Sequence, residues 1–271
     1  MLALLATEPG HKDGPNEDWA GVTQCVAVVL DGLSTPSITG TGCSHGVPWY
    51  VAQLGPRLLS TAEHTETPLT NSLAQAITEV AALHPQCDLT NPGTPSAAVG
   101  VVRRRPEAVD YLVLSDALVT LRSPAGLITR VTDNRVDQVA GEARNEALSA
   151  AIGSASHRKA VAKLVDAQRP LRNTPQGYWV AAADPLAAEH AIAGSLPVDS
   201  VRDVALMTDG ASRYVDLFNS ASWTETLDLL RLAGPDEVIR RVREQEKSDP
   251  DGQRWPRYKL ADDATALYVQ W

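Results

Sequence analysis

Cys25-Val26-Ala27-Val28-Val29-Leu30 is an apolar run that ends in Asp31-Gly32, and three other segments of the chain follow the same plan. Tyr111-Leu112-Val113-Leu114-Ser115 leads into Asp116, and Val204-Ala205-Leu206-Met207-Thr208 leads into Asp209-Gly210. Near the C-terminus the order reverses, with Asp262-Asp263 leading into Ala264-Thr265-Ala266-Leu267-Tyr268-Val269. Each run reads as a buried strand. In an antiparallel sheet the end of one strand lies beside the start of its neighbour, so all four aspartates are expected on one sheet edge. Such a group of carboxylates repels itself unless cations are present, and hard divalent ions held by oxygen are the natural partners.

Asp-Gly is also a common turn pair, and Asp13-Gly14 and Asp251-Gly252 read as no more than that. Taken alone, any one of the aspartates reads as a turn residue before it reads as a ligand. The combination points to metal, reinforced by the acidic Asn16-Glu17-Asp18 just before the first of these strands. With oxygen ligands and no His/Cys cluster apparent, magnesium or manganese is expected in preference to zinc.

In order and spacing these segments resemble the motifs of the metal-dependent protein phosphatases of the 2C (PPM) type, in their bacterial form. Pro15-Asn16-Glu17-Asp18-Trp19 is similar to the N-terminal acidic motif and Val29-Leu30-Asp31-Gly32 to the strand-end Asp-Gly. Pro95-Ser96-Ala97-Ala98-Val99 resembles the small-residue strand after two helices, and Leu114-Ser115-Asp116-Ala117 the Gly-Asp-Ser segment. Met207-Thr208-Asp209-Gly210 and Asp262-Asp263-Ala264-Thr265 resemble the two late motifs. The resemblance implies an α+β fold, a four-layer αββα sandwich of two antiparallel β-sheets flanked by helices. It also implies one domain over residues 1–271, with a charged, flap-like helical segment at about 136–177.

By the same resemblance, Asp31 would bridge two metals, with the Gly32 carbonyl on one and Asp209 and Asp262 on the other. Asp116 would help bind a third, weaker ion, and Glu17 and Asp18 would hold waters at the metals. The implied activity is hydrolysis of phosphoserine and phosphothreonine in proteins by a metal-activated water, using Mn2+ or Mg2+. A cognate Ser/Thr kinase is an implied partner.

The sequence also departs from the family. An arginine usually stands three residues before the Asn of the acidic motif and grips phosphate; here that position is Asp13. Neighbouring Lys12 is the expected substitute, as a point charge without a bidentate fork, and Arg213, Arg257 and Lys259 are further cations able to reach in. Leu33-Ser34 replaces a glycine-rich continuation, and Ser115 and Ala117 alter the flanks of Asp116. These departures leave two other readings open: a regulatory pseudophosphatase that binds a partner through the charged residues 136–172, or a small-molecule phosphomonoesterase.

The net charge of −9 argues against a nucleic-acid partner, which calls for a basic face. Aromatic residues make up only 5%, so Ala, Val and Leu must fill the core. Cys25, Cys43 and Cys87 are odd in number and widely spaced, which suits a reducing cytoplasm, and the six histidines read as dispersed. The first eight residues lack a basic region and do not read as a signal peptide, and no stretch is long enough to span a membrane.

Two strands are expected near the N-terminus, followed by a Ser/Thr/Gly-rich loop over 34–44. Helices are expected over residues 47–64 and 69–83, strands over 97–131, and charged helix over 136–172. A short helix at 185–193 and two more at 223–232 and 235–247 complete the pattern. Gly42-Cys43-Ser44-His45-Gly46 fits the G-x-S-x-G pattern of a hydrolase nucleophile, but that elbow needs a strand running into the serine and a loop is expected here. His11 and His45 are each open to a general-acid role, weighed against a surface or capping one.

Overall fold

In the computed structural model, which describes residues 1–34 and 40–271, Val26 through Leu30 are fully buried on both faces of their strand. Burial on both sides explains why this run is continuous instead of alternating. The first elements are β1 (Leu2–Glu8), β2 (Trp19–Val22), β3 (Val26–Gly32), α1 (Val47–Ala62) and α2 (Leu69–Ala81). Four strands follow: β4 (Ala97–Arg104), β5 (Ala108–Leu114), β6 (Leu118–Arg122) and β7 (Ile128–Val131). After them come α3 (Gly141–Ser149), α4 (Ala155–Gln168), β8 (Ile192–Pro197), β9 (Asp203–Met207) and α5 (Asp209–Asp216). The last elements are α6 (Trp223–Ala233), α7 (Pro235–Ser248) and β10 (Ala264–Gln270).

The strands form two antiparallel five-stranded sheets, ordered β2-β3-β4-β5-β8 and β1-β10-β9-β6-β7. Three hydrophobic clusters stack the layers. Val26, Val28 and Leu30 of β3 pack outward on Leu54 and Leu58 of α1 and on Leu73 and Ile77 of α2. Ala27 and Val29 of the same strand face the other way, onto Val119, Leu206, Leu267 and Val269 of the second sheet. The outer face of that sheet, including Met207 and Tyr268, packs on Leu227, Leu230, Val238 and Val242 of α6 and α7. The αββα sandwich expected from the sequence is therefore present, and the pleat of β3 alone serves two of its three cores.

Several local expectations need correction. Three strands, not two, precede α1, and the first, Leu2–Glu8, is in register with β10 from Leu2 opposite Gln270 to Glu8 opposite Ala264. Residues 185–193 are helical only over Pro185–His190, as a 3-10 turn, and Ile192–Pro197 then forms edge strand β8 beside β5. Helix α5 adds to the expected elements, directly after β9. The charged segment breaks into α3 and α4 flanked by short 3-10 turns, with its own small cluster of Ala143, Ala147, Ala160 and Leu164 packed against Tyr258. Of the loop expected over 34–44, residues 35–39 lie outside the described residues. No helix among the described residues is long and apolar enough to cross a membrane.

Candidate metal centre

The aspartates meet at a seam between the sheets and not on the edge of one. Asp31 lies near the end of β3 in one sheet, whereas Asp209 and Asp262 flank β9 and β10 in the other. Asp116 stands where the chain crosses from β5 to β6, that is, from one sheet to the other. Ser115 makes that crossing with φ of 64°, a left-handed conformation in which glycine is at ease and serine is strained. Asp31, Gly32, Asp116, Asp209 and Asp262 line one cleft, walled by Leu164, Tyr178 and Tyr258.

The two Asp-Gly pairs are not turns of positive φ. Neither Gly32 nor Gly210 has a left-handed backbone. A Cβ at Gly32 would collide with the Glu17 carbonyl and Val47, and one at Gly210 with the Asp263 carbonyl. Both glycines are needed for close backbone approach, which draws the acidic N-terminal motif and the Asp262-Asp263 segment up to the strand ends. Gly252, with φ of 64°, is a left-handed turn residue of the kind expected at Asp251-Gly252.

Hydrogen bonds fix the surroundings. The Asp209 N–H donates to Asp31 Oδ2 at 3.1 Å, and Thr208 Oγ1 donates to Asp18 Oδ2 at 2.8 Å. Ser34 Oγ donates to Glu17 Oε2. Asp263, a residue with no expected role of its own, accepts from the Gly10 N–H and the Glu17 N–H, both at 2.7 Å. It ties the N-terminal loop to the start of β10. Asp262 is held by two cations: Lys259 Nζ lies 2.5 Å from Oδ1 and Arg213 Nη2 3.2 Å from Oδ2. Lys259 also donates to Ser34 Oγ at 2.9 Å, and Arg213 is braced by Glu246 at 3.0 Å.

Neither of the other expected cations is free to take that part. Lys12 is exposed on the turn closed by the Gly14 N–H and the His11 carbonyl, and it lines neither cleft beside the cluster. Arg257 lines the adjoining cleft with Asp116, Asp209 and Asp262, but its guanidinium is taken up by bonds to Asp249 and to backbone carbonyls. Ser44 stands in a loop, and the described residues 40–43 that run into it are not a strand, which removes the hydrolase-elbow reading. His45 packs against Trp49 and Cys43, away from the carboxylates.

Electrostatics match an oxygen-ligated cation site. Burial and then the neighbouring Asp209, Asp18 and Asp116 push Asp31 well above the ordinary carboxylate range. Burial and Asp209 raise Asp116 to about 7, and burial raises Asp18 to about 8 against the bonds from Thr265 and Thr208. Burial would also raise Asp262, but Lys259 and Arg213 overcome it and hold that group low. Crowded hard donors whose protons are loosened only by added positive charge fit divalent cations.

A pH dependence follows. The raised groups keep, when folded, protons that the unfolded chain has released above its ordinary carboxylate range. In a chelator the melting temperature is therefore expected to fall as pH rises from about 5 to about 8. His84, lowered by burial and by His45, contributes in the opposite direction but is a single group. Saturating manganese should flatten the profile, because the ion replaces the protons. Calorimetry at a series of pH values, with manganese and with chelator, tests this; a melting temperature that rises with pH in chelator would contradict it.

Residues 11–244 match the sequence profile of protein phosphatase 2C. No curated protein sequence matches the chain. Among solved structures the fold is similar to a bacterial serine phosphatase, at 12% identity and TM-score 0.57, covering 100% of this chain and 97% of that one. It is also similar to the serine/threonine phosphatase PstP/Ppp of Mycobacterium tuberculosis, at 13% identity and TM-score 0.56, covering 99% and 97%. A third likeness is to the PstP catalytic domain in complex with two manganese ions, at 14% identity and TM-score 0.54, again covering 99% and 97%. At such identities these structures speak for the fold, while the profile match extends over most of the sequence. The chain belongs to the protein phosphatase 2C family.

Proposed function

We propose that this protein is a metal-dependent phosphatase that hydrolyses phosphoserine and phosphothreonine in proteins, using manganese or magnesium. The observation that carries this reading is the convergence of Asp31, Asp116, Asp209 and Asp262 on one cleft from both sheets. Asp31, the Gly32 carbonyl, Asp209 and Asp262 would hold two ions, and Asp116 would contribute to a third. When bound, the ions supply Lewis acidity toward the phosphoryl group and lower the pKa of water. Glu17 and Asp18 act as acceptors that orient water, the first gripped by Ser34 and the second by Thr208. The soluble catalytic unit would work in the cytoplasm, opposite a cognate Ser/Thr kinase.

Lys259 takes the phosphate-gripping role that the sequence assigned first to Lys12. Its side chain is 38% exposed at the cleft, and its partners Asp262 and Ser34 hold its head beside the acidic cluster. Lys259→Met is expected to lower kcat/KM for an aryl phosphate about tenfold, mainly through KM. Calorimetric manganese titration of the same variant separates substrate grip from metal affinity. An unchanged KM would remove Lys259 from the role.

The reading is tested with an aryl phosphate and with phosphoserine and phosphothreonine peptides, in manganese, in magnesium and in chelator. Metal-dependent turnover on the peptides supports it; metal-loaded protein that releases no phosphate from any of them sinks it. One observation favours a second reading, that of a regulatory pseudophosphatase. Asp262 is already paired with Lys259 and Arg213, which compete with a cation for its oxygens. Absence of manganese binding by calorimetry would turn attention to partner capture through residues 136–172. A preference for small phosphomonoesters over every peptide would mark the third alternative.

A further inference from the structure

The sequence gives Cys43, His45, His84 and Cys87 as two unrelated short pairs, Cys43-x-His45 in a loop and His84-x-x-Cys87 beyond α2. Antiparallel packing of α1 on α2 brings the pairs together, which corrects the expectation of dispersed cysteines and histidines. One ligand atom from each of the four side chains lies within 4.8 Å of the others. Cys43 Sγ is 3.3 Å from His84 Nδ1 and 3.5 Å from His45 Nδ1, and Cys87 Sγ is 3.7 Å from His45 Nδ1. A tetrahedral ion with zinc–sulfur bonds of about 2.3 Å and zinc–nitrogen bonds of about 2.0 Å separates sulfur from nitrogen by about 3.5 Å. An isolated thiol–imidazole hydrogen bond would explain one of these distances but not the convergence of all four groups.

We infer that Cys43, His45, His84 and Cys87 form a structural zinc site, separate from the carboxylate cleft. Two thiolates and two imidazoles in a closed set of four are the donors that zinc selects, whereas manganese and magnesium favour oxygen. The surroundings are built for such an ion. Trp49 stacks on His45 with ring centroids 4.1 Å apart and meets His84 edge-on at 4.7 Å, covering one side. The His45 N–H donates to Cys43 Sγ at 3.3 Å, and Ser44 Oγ lies 3.8 Å from Cys87 Sγ, so each sulfur has a polar neighbour that favours its thiolate. Gly42, with φ of 72° and no room for a Cβ beside Asn91 and Asp88, swings Cys43 inward. Its carbonyl accepts from the Asp88 N–H at 2.7 Å, which joins the two ligand segments by backbone as well.

Metal binding releases the two thiol protons to solvent and clamps the loop before α1 to the end of α2. Val47, the first residue of α1, packs so closely on Gly32 that no side chain fits there. The zinc would therefore hold the start of α1 against the Asp31-Gly32 strand end without touching substrate.

The test is elemental analysis of protein purified without added metal and dialysed against a weak chelator. Roughly one zinc per chain is expected, falling below about a tenth in the Cys43→Ser/Cys87→Ser variant and staying in Asp209→Asn. Because the double variant can fail to fold, a second readout uses the unaltered protein. Added zinc should slow modification of Cys43 and Cys87 by a thiol reagent about tenfold relative to chelator, with Cys25 as the internal reference. Cobalt in place of zinc should give a sulfur-to-cobalt charge-transfer band. Two thiols that react equally fast with and without zinc overturn the site, and so does a Cys43–Cys87 disulfide in freshly isolated protein.

Discussion

Asp31→Asn is expected to lower metal-dependent phosphate release by about a thousandfold, equivalent to roughly 4 kcal/mol of transition-state stabilisation. The side chain is the meeting point of the cleft: it accepts the Asp209 N–H and feels the charges of Asp209, Asp18, Asp116 and Asp262. Asparagine keeps the shape but removes a formal charge and an anionic ligand oxygen, so ions would bind weakly and the chemistry they supply would be lost. The same change should raise stability in chelator, because it relieves repulsion among buried carboxylates. Opposite signs for activity and metal-free melting temperature separate a site effect from misfolding. Steady-state assays with manganese, paired with thermal melts in chelator, give both signs. An Asp31→Asn protein that keeps most of its turnover would mean that the cleft is not where phosphate is hydrolysed.

How far the site can be read from sequence depends on where its residues sit in the pleat. Strand β3, which carries Asp31, and strand β9, which ends two residues before Asp209, are buried on both faces, so their apolar runs are continuous and the aspartate after each is conspicuous. Strand β8 has the opposite character. Ile192-Ala193-Gly194-Ser195-Leu196 lies at a sheet edge and is largely exposed, leaving no hydrophobic period to find. Helix α5 was hidden because Asp209-Gly210 already read as a strand end, whereas Asp209 is also the first residue of the helix. That two sheets, not one, supply the carboxylates was not legible, since the crossing at Ser115-Asp116 is only a few residues long. Lys12 was favoured because it neighbours the missing arginine in sequence. The fold instead puts Lys259 beside Asp262, and their three-residue separation was the available signal. The Cys/His group was invisible for a different reason: neither short pair has meaning until the α1–α2 hairpin closes.

Arg122→Met is expected to cost about 3–5 kcal/mol of folding stability, far from any catalytic group. Arg122 and Asp203 face one another in the β6–β9 register, only 2% and 0% exposed. The guanidinium grips the carboxylate through Nε at 2.9 Å and Nη2 at 2.7 Å, while Nη1 reaches Asp228 at 2.8 Å. Methionine fills similar space but strands a buried carboxylate with only Arg202, 3.5 Å away and partly exposed, as a charged neighbour. The penalty is thus the desolvated charge left behind, not the net worth of the pair. If so, Arg122→Met/Asp203→Leu should recover most of the loss, although each single change is severe. Asp228→Ala should cost less than about 1 kcal/mol, because its carboxylate is 45% exposed and water replaces the arginine. Urea unfolding of the unaltered protein, Arg122→Met, Asp203→Leu and the double variant forms a double-mutant cycle, with Asp228→Ala as an external control. A double variant as unstable as the sum of its singles would mean that the two side chains do not couple, and would refute the stranded charge as the source of the penalty.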